Sequence, residues 1–510
     1  SLILAICFVA FHLYTAAFGT MPGIAQKSIH LGFLLVIFYI NAMVDSEKRW
    51  EQIFLGIMAL FALGGCAYIT ILDENLQLRA GIVYASDILF AILLIIAIFE
   101  ACRRKMGNPL VIITLVFVAY AFLGKYIPGF LNQPGMTLKK FTSLVYLTTD
   151  GIFGSPLYAS ASYVVLFVLL GAIMSVSGIG DYMTNLATSL FGHMRGGPAK
   201  VAVVASGFFG SISGSPTANV IGTGTFTIPM MKKNGFEPEF AAAVEATAST
   251  GGAIMPPIMG STAFIMAEML GIPYTAVAKA ALIPAILYFL AVLFGVDIYA
   301  AKHGLKGIPR SQLPKVRSML KQIYMLAPLI FLIFCMAVFN MTIVRSGLLT
   351  IIVTLVLVEI NPKTRMTKEQ WLQIPVQTVK SAVSVGIACA MAGIISGVIM
   401  GSGLGYRISS ILTSVAGTSM LLLLVLTMVV SLIMGMGVPT TAAYLVLASL
   451  VAPTMIQLGI PPLAAHMFIF YFGVVAQITP PVCLASFTAA GIAGASAWKT
   501  GWKAFSFAIT

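Results

Sequence analysis

The sequence predicts an all-α polytopic membrane protein built on an inverted repeat, with two re-entrant helical hairpins and two broken helices. Three observations carry this. First, 59% of the 510 residues are hydrophobic and 9% charged, with a mean hydropathy of +1.00. A soluble domain carries roughly 25% charged residues, and apolar runs of about 20 residues, each enough to span a bilayer, recur along this chain. Second, one motif pair occurs twice. Gly214-Ser215-Pro216-Thr217 is followed 40 residues on by Ile254-Met255-Pro256-Pro257, and Gly437-Val438-Pro439-Thr440 is followed 41 residues on by Ile478-Thr479-Pro480-Pro481. Third, most of the 29 Lys and Arg gather in short loops between apolar runs, which fixes a topology.

The first spans are Leu2–Phe18, Ile29–Val44, Ile53–Leu72, Ile82–Phe99 and Leu110–Phe130. They make up a separate N-terminal module, residues 1–145, with no counterpart later in the chain. Leu138–Leu147, which carries Lys139 and Lys140, reads as an amphipathic helix on the membrane surface. The remainder, 146–510, divides into a first repeat at about 150–300, connecting helices at 301–374 and a second repeat at about 375–510. Its further spans are Tyr158–Ser177, Ala276–Ala300, Ile323–Val344, the short Gly347–Glu359, and Val376–Met400.

Loop charge decides how the first motif enters the membrane. The basic loops at Lys48-Arg49, Arg103-Arg104-Lys105, Arg195 to Lys200, Lys232-Lys233, Lys302 to Lys321, Lys363 to Lys368 and Lys499 to Lys503 are assigned to the cytoplasm. Two of them bracket a single apolar stretch. Its arms, Ala199–Ser213 and Thr217–Met231, are each about 22 Å long, short of the ~30 Å hydrocarbon core. A hairpin with its tip at Gly214-Ser215-Pro216 satisfies both facts. The second copy, Ser419–Met436 and Thr440–Gln457, carries no terminal charge and is expected to enter from outside. Each hairpin is followed by a crossing broken at a proline pair, the first as Glu239–Thr250 and Ile258–Leu270, because proline removes a backbone donor and pushes its predecessor off the helical region. The repeat extends upstream: Gly178-Ile179-Gly180, Thr188-Ser189 and Gly192 match Gly403-Leu404-Gly405, Thr413-Ser414 and Gly417 at an offset of 225 residues.

Several function classes are excluded. The net charge of +13 lies in loops and forms no basic arm, so no nucleic-acid partner is expected. The six cysteines form no C-x-x-C and read as packing residues, and the five histidines lack ligand spacing. There is no Walker A sequence. No acid–base pair or metal cluster suggests an enzyme, and no charged ring suggests a channel filter. The chain starts at Ser1 and stops at Thr510 inside an apolar run, so native termini and a final helix are expected beyond it.

Interrupted backbone is tolerated in a bilayer where it is buried in protein or lines a cavity. Helix N-termini at such breaks suit anions and C-terminal carbonyls suit Na⁺. Small polar side chains cluster there: Ser211, Ser213, Ser215, Thr217, Asn219, Ser249, Thr250, Ser261 and Thr262 in the first copy, and Thr440, Thr441, Gln477, Thr479 and Ser486 in the second. Of the intramembrane acids, Glu245 lies one turn before the first break and is the proton-site candidate. Glu268 lies near the outer end of that crossing, Asp297 at the cytoplasmic end of its span, and Asp87 is expected to pair with a base such as Lys125.

The stretch from Gly210 to Asn219 (GSISGSPTAN) and the stretch from Glu245 to Gly260 (EATASTGGAIMPPIMG) resemble the large membrane subunit of TRAP transporters, the second stretch in its TAXI branch. The resemblance covers about residues 150–510, and the N-terminal helices look like the small membrane subunit fused ahead of it. It implies an elevator-type secondary importer of a small organic anion, a carboxylate, across the bacterial inner membrane, with no cofactor beyond a coupling Na⁺ or H⁺. It also implies a periplasmic TAXI-type substrate-binding protein as partner, the lipid bilayer as surroundings, and a monomer. Carried over by motif, Ser213, Ser215, Thr217, Asn219, Ser261, Thr262, Thr440 and Thr441 would bind substrate. Gly214, Gly251, Gly252, Ile254, Gly437, Val438, Gln477 and Thr479 would bind cations, and Glu245 would carry a proton. Valine in place of serine at Val438 departs from the first copy and breaks any symmetric role of Ser215. An ion-coupled carboxylate transporter of related inverted-repeat fold that needs no binding protein remains the alternative.

Overall fold

Apolar stretches punctuated by glycine and proline form helices, and no strand occurs among the described residues. The computed structural model describes the chain apart from residues 1, 80, 361–363, 406, 408–409, 411–418 and 510 and the Gln77 side chain. Thr413, Ser414 and Gly417 of the upstream repeat lie outside the described residues. The N-terminal helices are α1 (Leu2–Phe18), α2 (Ala25–Asp45), α3 (Arg49–Leu78), α4 (Ala85–Met106) and α5 (Asn108–Leu123). Next come α6 (Ser155–Val176), α7 (Ile179–Phe191), α8 (Gly197–Ser213), α9 (Pro216–Lys233), α10 (Pro238–Gly252), α11 (Gly260–Leu270) and α12 (Tyr274–Lys302). The chain continues as α13 (Ala327–Ala337), α14 (Ile343–Ile360), α15 (Lys368–Ser402), α16 (Met420–Gly435), α17 (Thr440–Leu450), α18 (Ala452–Gln457), α19 (Pro462–Val475), α20 (Leu484–Ala493) and α21 (Ala497–Ala508). Among the described residues, eight helices are long and apolar enough to cross a membrane, or nine with one bent pair. The protein is therefore an all-α polytopic membrane protein.

The 35-residue α15 runs through the middle of the molecule, packed on α1, α2, α4, α5, α6 and α17. Its small residues Gly386, Gly393 and Gly397 allow the approach. A Cβ on Gly393 would stand 2.4 Å from the Gly151 carbonyl oxygen. A second nest forms where α10 packs against α8, α9, α20 and α21. Every residue of α10 from Phe240 to Gly252 is buried, matching its run of Ala, Thr, Ser and Gly.

The structure corrects several expectations. Ile323–Val344 is not one span: a 3₁₀ turn at Ile323–Leu326 leads into the short α13, and the chain turns at Asn340, whose φ is +50°. Those residues release Ile343 and Val344 to α14, so the short Gly347–Glu359 becomes part of an 18-residue helix. Thr440–Gln457 is two helices, because Pro453 has no N–H to continue α17 into α18. Leu138–Leu147 does not lie flat on a surface: Phe141, Thr142, Val145 and Tyr146 are buried, and the Tyr146 hydroxyl donates to the Gly65 carbonyl at 2.6 Å. Asp87 caps α4 and pairs with Arg79 at 2.8 Å, not with Lys125.

Candidate functional site

The hairpin of α8 and α9 turns at Gly214 and Ser215. Gly214 has φ +59°, a left-handed conformation that glycine adopts without strain. Ser215 caps α9, its hydroxyl accepting from the Ala218 N–H at 3.5 Å, with Pro216 at the first helical position. The tip sits on the break between α10 and α11. A Cβ on Gly214 would lie 1.9 Å from the Gly260 Cα, and the Ile258 N–H donates to the Ser211 carbonyl at 3.2 Å. Higher up, Gly210 and Gly252 touch backbone to backbone. Gly251 is likewise a packing glycine, facing the Tyr288 ring.

The second hairpin is α16 and α17, joined through Gly437 at φ +69°, whose N–H donates to the Val482 carbonyl at 3.1 Å. The Gln477 side chain donates to the Val438 carbonyl at 2.6 Å, tying tip to break. Thr479 donates to the Val475 carbonyl of its own helix at 2.9 Å. Both Pro256–Pro257 and Pro480–Pro481 are cis.

The two copies meet. The Thr441 hydroxyl, in the first turn of α17, lies 2.8 Å from the Ser261 hydroxyl and 3.1 Å from that of Thr262, at the start of α11. The hydroxyl oxygens of Ser213 and Thr440, one residue before Gly214 and one before Thr441, are buried without a hydrogen-bond partner. A buried hydroxyl left unpaired costs about 1–3 kcal/mol, so such atoms at the two tips suit a polar ligand. Ser215 and Thr217 keep partly exposed hydroxyls 3.4 Å apart. Of the proposed cation carbonyls, Gly251 accepts from the Ile254 N–H and Gly252 from the Met255 N–H, at 3.1 and 3.2 Å. Ile254 itself is buried at the turn.

Behind the first tip lies a buried polar cage that the sequence did not reveal in full. Glu245 on α10 is 0% exposed. Its Oε1 accepts from Ser206, Thr223 and Ser249 at 2.7, 2.6 and 3.0 Å, and its Oε2 from Thr227 at 2.5 Å. None of the ion pairs among the described residues includes it. The Asn219 amide is engaged in the same cage, donating to the carbonyls of Ser206 at 2.8 Å and Ser249 at 3.4 Å. Asn219 is therefore held between α8 and α10. The signal for Thr223 and Thr227 was available: with Asn219 they recur every four residues, one polar stripe along α9. Ser206 had no such signal.

The other acids are placed at element ends. Asp297 pairs with Arg195 and with Lys200, the latter at 2.6 Å. Glu237, just ahead of α10, accepts from Lys503 at 2.6 Å, and that ammonium holds its carboxyl below the usual range.

These features define a multi-pass helical membrane protein in which two similar broken elements meet at a small cluster of hydroxyls. The family described as "Tripartite ATP-independent periplasmic transporter, DctM component" matches residues 93–510, and the chain belongs to that family. Members are inner-membrane transporter subunits, and this chain is a multi-pass protein of that membrane. It is 26% identical over 337 residues to the uncharacterized protein YgiK of Salmonella typhimurium, covering 66% of this chain and 75% of YgiK. It is 26% identical over 330 residues to the sialic acid TRAP transporter permease protein SiaT of Haemophilus influenzae, covering 60% of this chain and 52% of SiaT. Over 150 residues it is 31% identical to the C4-dicarboxylate TRAP transporter large permease protein DctM of Pseudomonas aeruginosa, covering 29% of this chain and 34% of DctM. The aligned stretch thus spans well under two thirds of those last two relatives.

Proposed function

We propose that the chain is the membrane component of an ion-coupled importer of a small organic anion, a carboxylate, delivered by a periplasmic substrate-binding protein of the TAXI type. In this reading residues 1–145 serve as a fused small subunit. The protein works as a monomer, and the two hairpins are re-entrant and move as part of a carrier against α6 and α15. The observation that carries it is the contact of Thr441 with Ser261 and Thr262, which joins two broken copies 180 residues apart at one cluster of hydroxyls. Helix N-termini of α11 and α17 converge there, favourable for a carboxylate. Ser213, Ser215, Thr217 and Thr440 border the same tips and complete the substrate set, while the tip carbonyls of Gly214, Gly437 and Val438 remain the cation candidates.

Coupling is assigned to a proton on Glu245. The Thr227 hydroxyl faces two acceptors, Glu245 Oε2 at 2.5 Å and the Thr223 carbonyl at 3.1 Å. A proton on Oε2 can therefore donate to Thr227 while Thr227 donates to the Thr223 carbonyl. The cage accepts or releases a proton by reversing one bond, and a buried carboxyl with no basic partner among the described residues is a functional candidate in a membrane interior.

Proteoliposome uptake tests this reading. Labelled succinate and sialic acid, from the classes named for the relatives, head a panel of carboxylates. The expected result is accumulation that needs the secreted binding protein, persists when choline replaces Na⁺ at constant pH, and collapses with the proton gradient. Full-rate uptake of free substrate without a partner overturns the binding-protein reading, and loss of uptake in choline moves the coupling to Na⁺.

A further inference from the structure

Two polar contacts from the N-terminal helices meet on one turn of the rest of the chain. Gln26 and His30 on α2 reach a π-helical turn of α6, Ser160–Val164. The Gln26 amide donates to the Ala161 carbonyl at 3.1 Å, and His30 Nε2 lies 3.0 Å from the Ser160 hydroxyl. The direction of that last bond is fixed by its neighbours. His12 Nδ1 lies 2.8 Å from the Phe8 carbonyl and must carry the hydrogen, so His12 Nε2 accepts from His30 Nδ1–H at 2.8 Å. His30 Nε2 then accepts from Ser160. All three side chains are buried. A π turn inserted in a helix often marks a functional position, and here α1 and α2 hold it from one side.

On its other side the same turn holds α11. Tyr163 donates its hydroxyl to Glu268 Oε2 at 2.8 Å. Lys27, only 6% exposed and one residue after Gln26, has its ammonium within electrostatic range of the Asp73 and Glu268 carboxylates. Asp73 is itself fixed, accepting from the Ile24 N–H that opens α2 at 3.2 Å. Glu268 lies seven residues, or about 10 Å, along α11 from Ser261. One end of this short helix thus faces the polar site while the other is held by α6 through Tyr163, with Lys27 of α2 in electrostatic range.

We infer that Tyr163 and Glu268, with Lys27 beside them, form a latch that holds α11 against the turn of α6 that α1 and α2 brace, and that it must open for the hairpins to move. The inference rests on the moving-hairpin reading above. It makes Glu268 and Tyr163 positioning residues that set the balance between two states without touching the transported anion. A hydrogen bond to a charged group is strong enough for its loss to shift such a balance roughly tenfold.

The test needs no known substrate. In full-length protein with the six native cysteines replaced, Ala218→Cys at the exposed first hairpin tip is labelled with a membrane-impermeant maleimide from each face of oriented vesicles. The parent is expected to label mainly from one face. Tyr163→Phe and Glu268→Gln, both conservative in shape, should raise labelling from the minority face roughly tenfold. Bridging Tyr163→Cys and Glu268→Cys with a short bifunctional thiol reagent, the reporter being a Lys-directed tag at the same tip, should restrict access to one face until the bridge is reduced. An unchanged ratio of faces in both single variants, even with a lowered melting temperature, makes the contact merely structural and overturns the latch. Access from a single face in parent, variants and every added carboxylate removes the moving hairpin and the latch with it. Two-faced access in the parent that no variant alters removes the latch alone.

Discussion

In the first copy the hairpin is bound to its broken helix by one buried carboxyl cage; in the second it is bound by separate side-chain contacts with no carboxyl among them. Glu245, Asn219, Ser206, Thr223 and Thr227 weld α8, α9 and α10 together, whereas in the second copy the Gln477 amide ties tip to break and the Tyr444 hydroxyl on α17 lies 2.7 Å from His466 Nδ1 on α19. The glycine geometry is shared: Gly214 and Gly437 both take positive φ beside a cis proline pair. What surrounds them is not. A Cβ on Gly214 would collide with the Gly260 backbone at 1.9 Å, while one on Gly437 would meet the side chain of Val482 at 2.9 Å. Repetition has thus kept the backbone and let the chemistry diverge: the first copy carries a buried carboxyl cage and the second has no carboxyl in the contacts described at its tip.

The comparison breaks most sharply at Glu245. Glu245→Leu leaves four hydroxyls facing an apolar side chain and should cost about 4 kcal/mol of stability, read from unfolding in detergent. Glu245→Gln keeps an acceptor and a donor in the cage, so it should fold while uptake loses its acceleration by an inward proton gradient. Next, Gly214→Ala should cost about 3 kcal/mol and Gly437→Ala about 1, because only the first meets rigid backbone. Equal costs would erase the difference between the tips. Gln477→Leu removes the side-chain tie between the second tip and its break and should cost about 2 kcal/mol, felt as faster hydrogen exchange at Gly437 and Val438. The smallest effect belongs to Glu237. Its carboxyl is lowered by Lys503, so the pair contributes fully above the ordinary value of 4.5 and is lost as pH falls through the lowered one. Glu237→Gln should flatten the stability profile in that acidic range and lower stability slightly, by a constant amount, at neutral pH.

Most spans were legible because twenty apolar residues in a row have few alternatives, and both hairpin tips were legible because Gly-x-Pro-Thr stops a helix and starts another. Boundaries set by tertiary contact were not. Nothing local marks Asn340 as the turn between α13 and α14, since asparagine only tolerates a left-handed backbone and does not demand it. Asp87 chose Arg79, eight residues away, over the more distant Lys125 because it caps the helix that begins beside it. At the site, Glu245 and the tip hydroxyls could be named from the sequence. Ser206, Tyr163 and His30 could not, because each acts through a partner that only the fold brings near.

The central claim is that the two copies form one site. With the native cysteines replaced and a protease site placed in the loop after α12, Ser261→Cys and Thr441→Cys test it directly, since the two hydroxyl oxygens stand 2.8 Å apart. Mild oxidation should join the two fragments on a non-reducing gel and stop uptake of whichever panel carboxylate the parent accumulates, with reductant restoring both. Fragments that stay separate while each single cysteine still reacts with maleimide, or full uptake by the joined protein, would contradict the account.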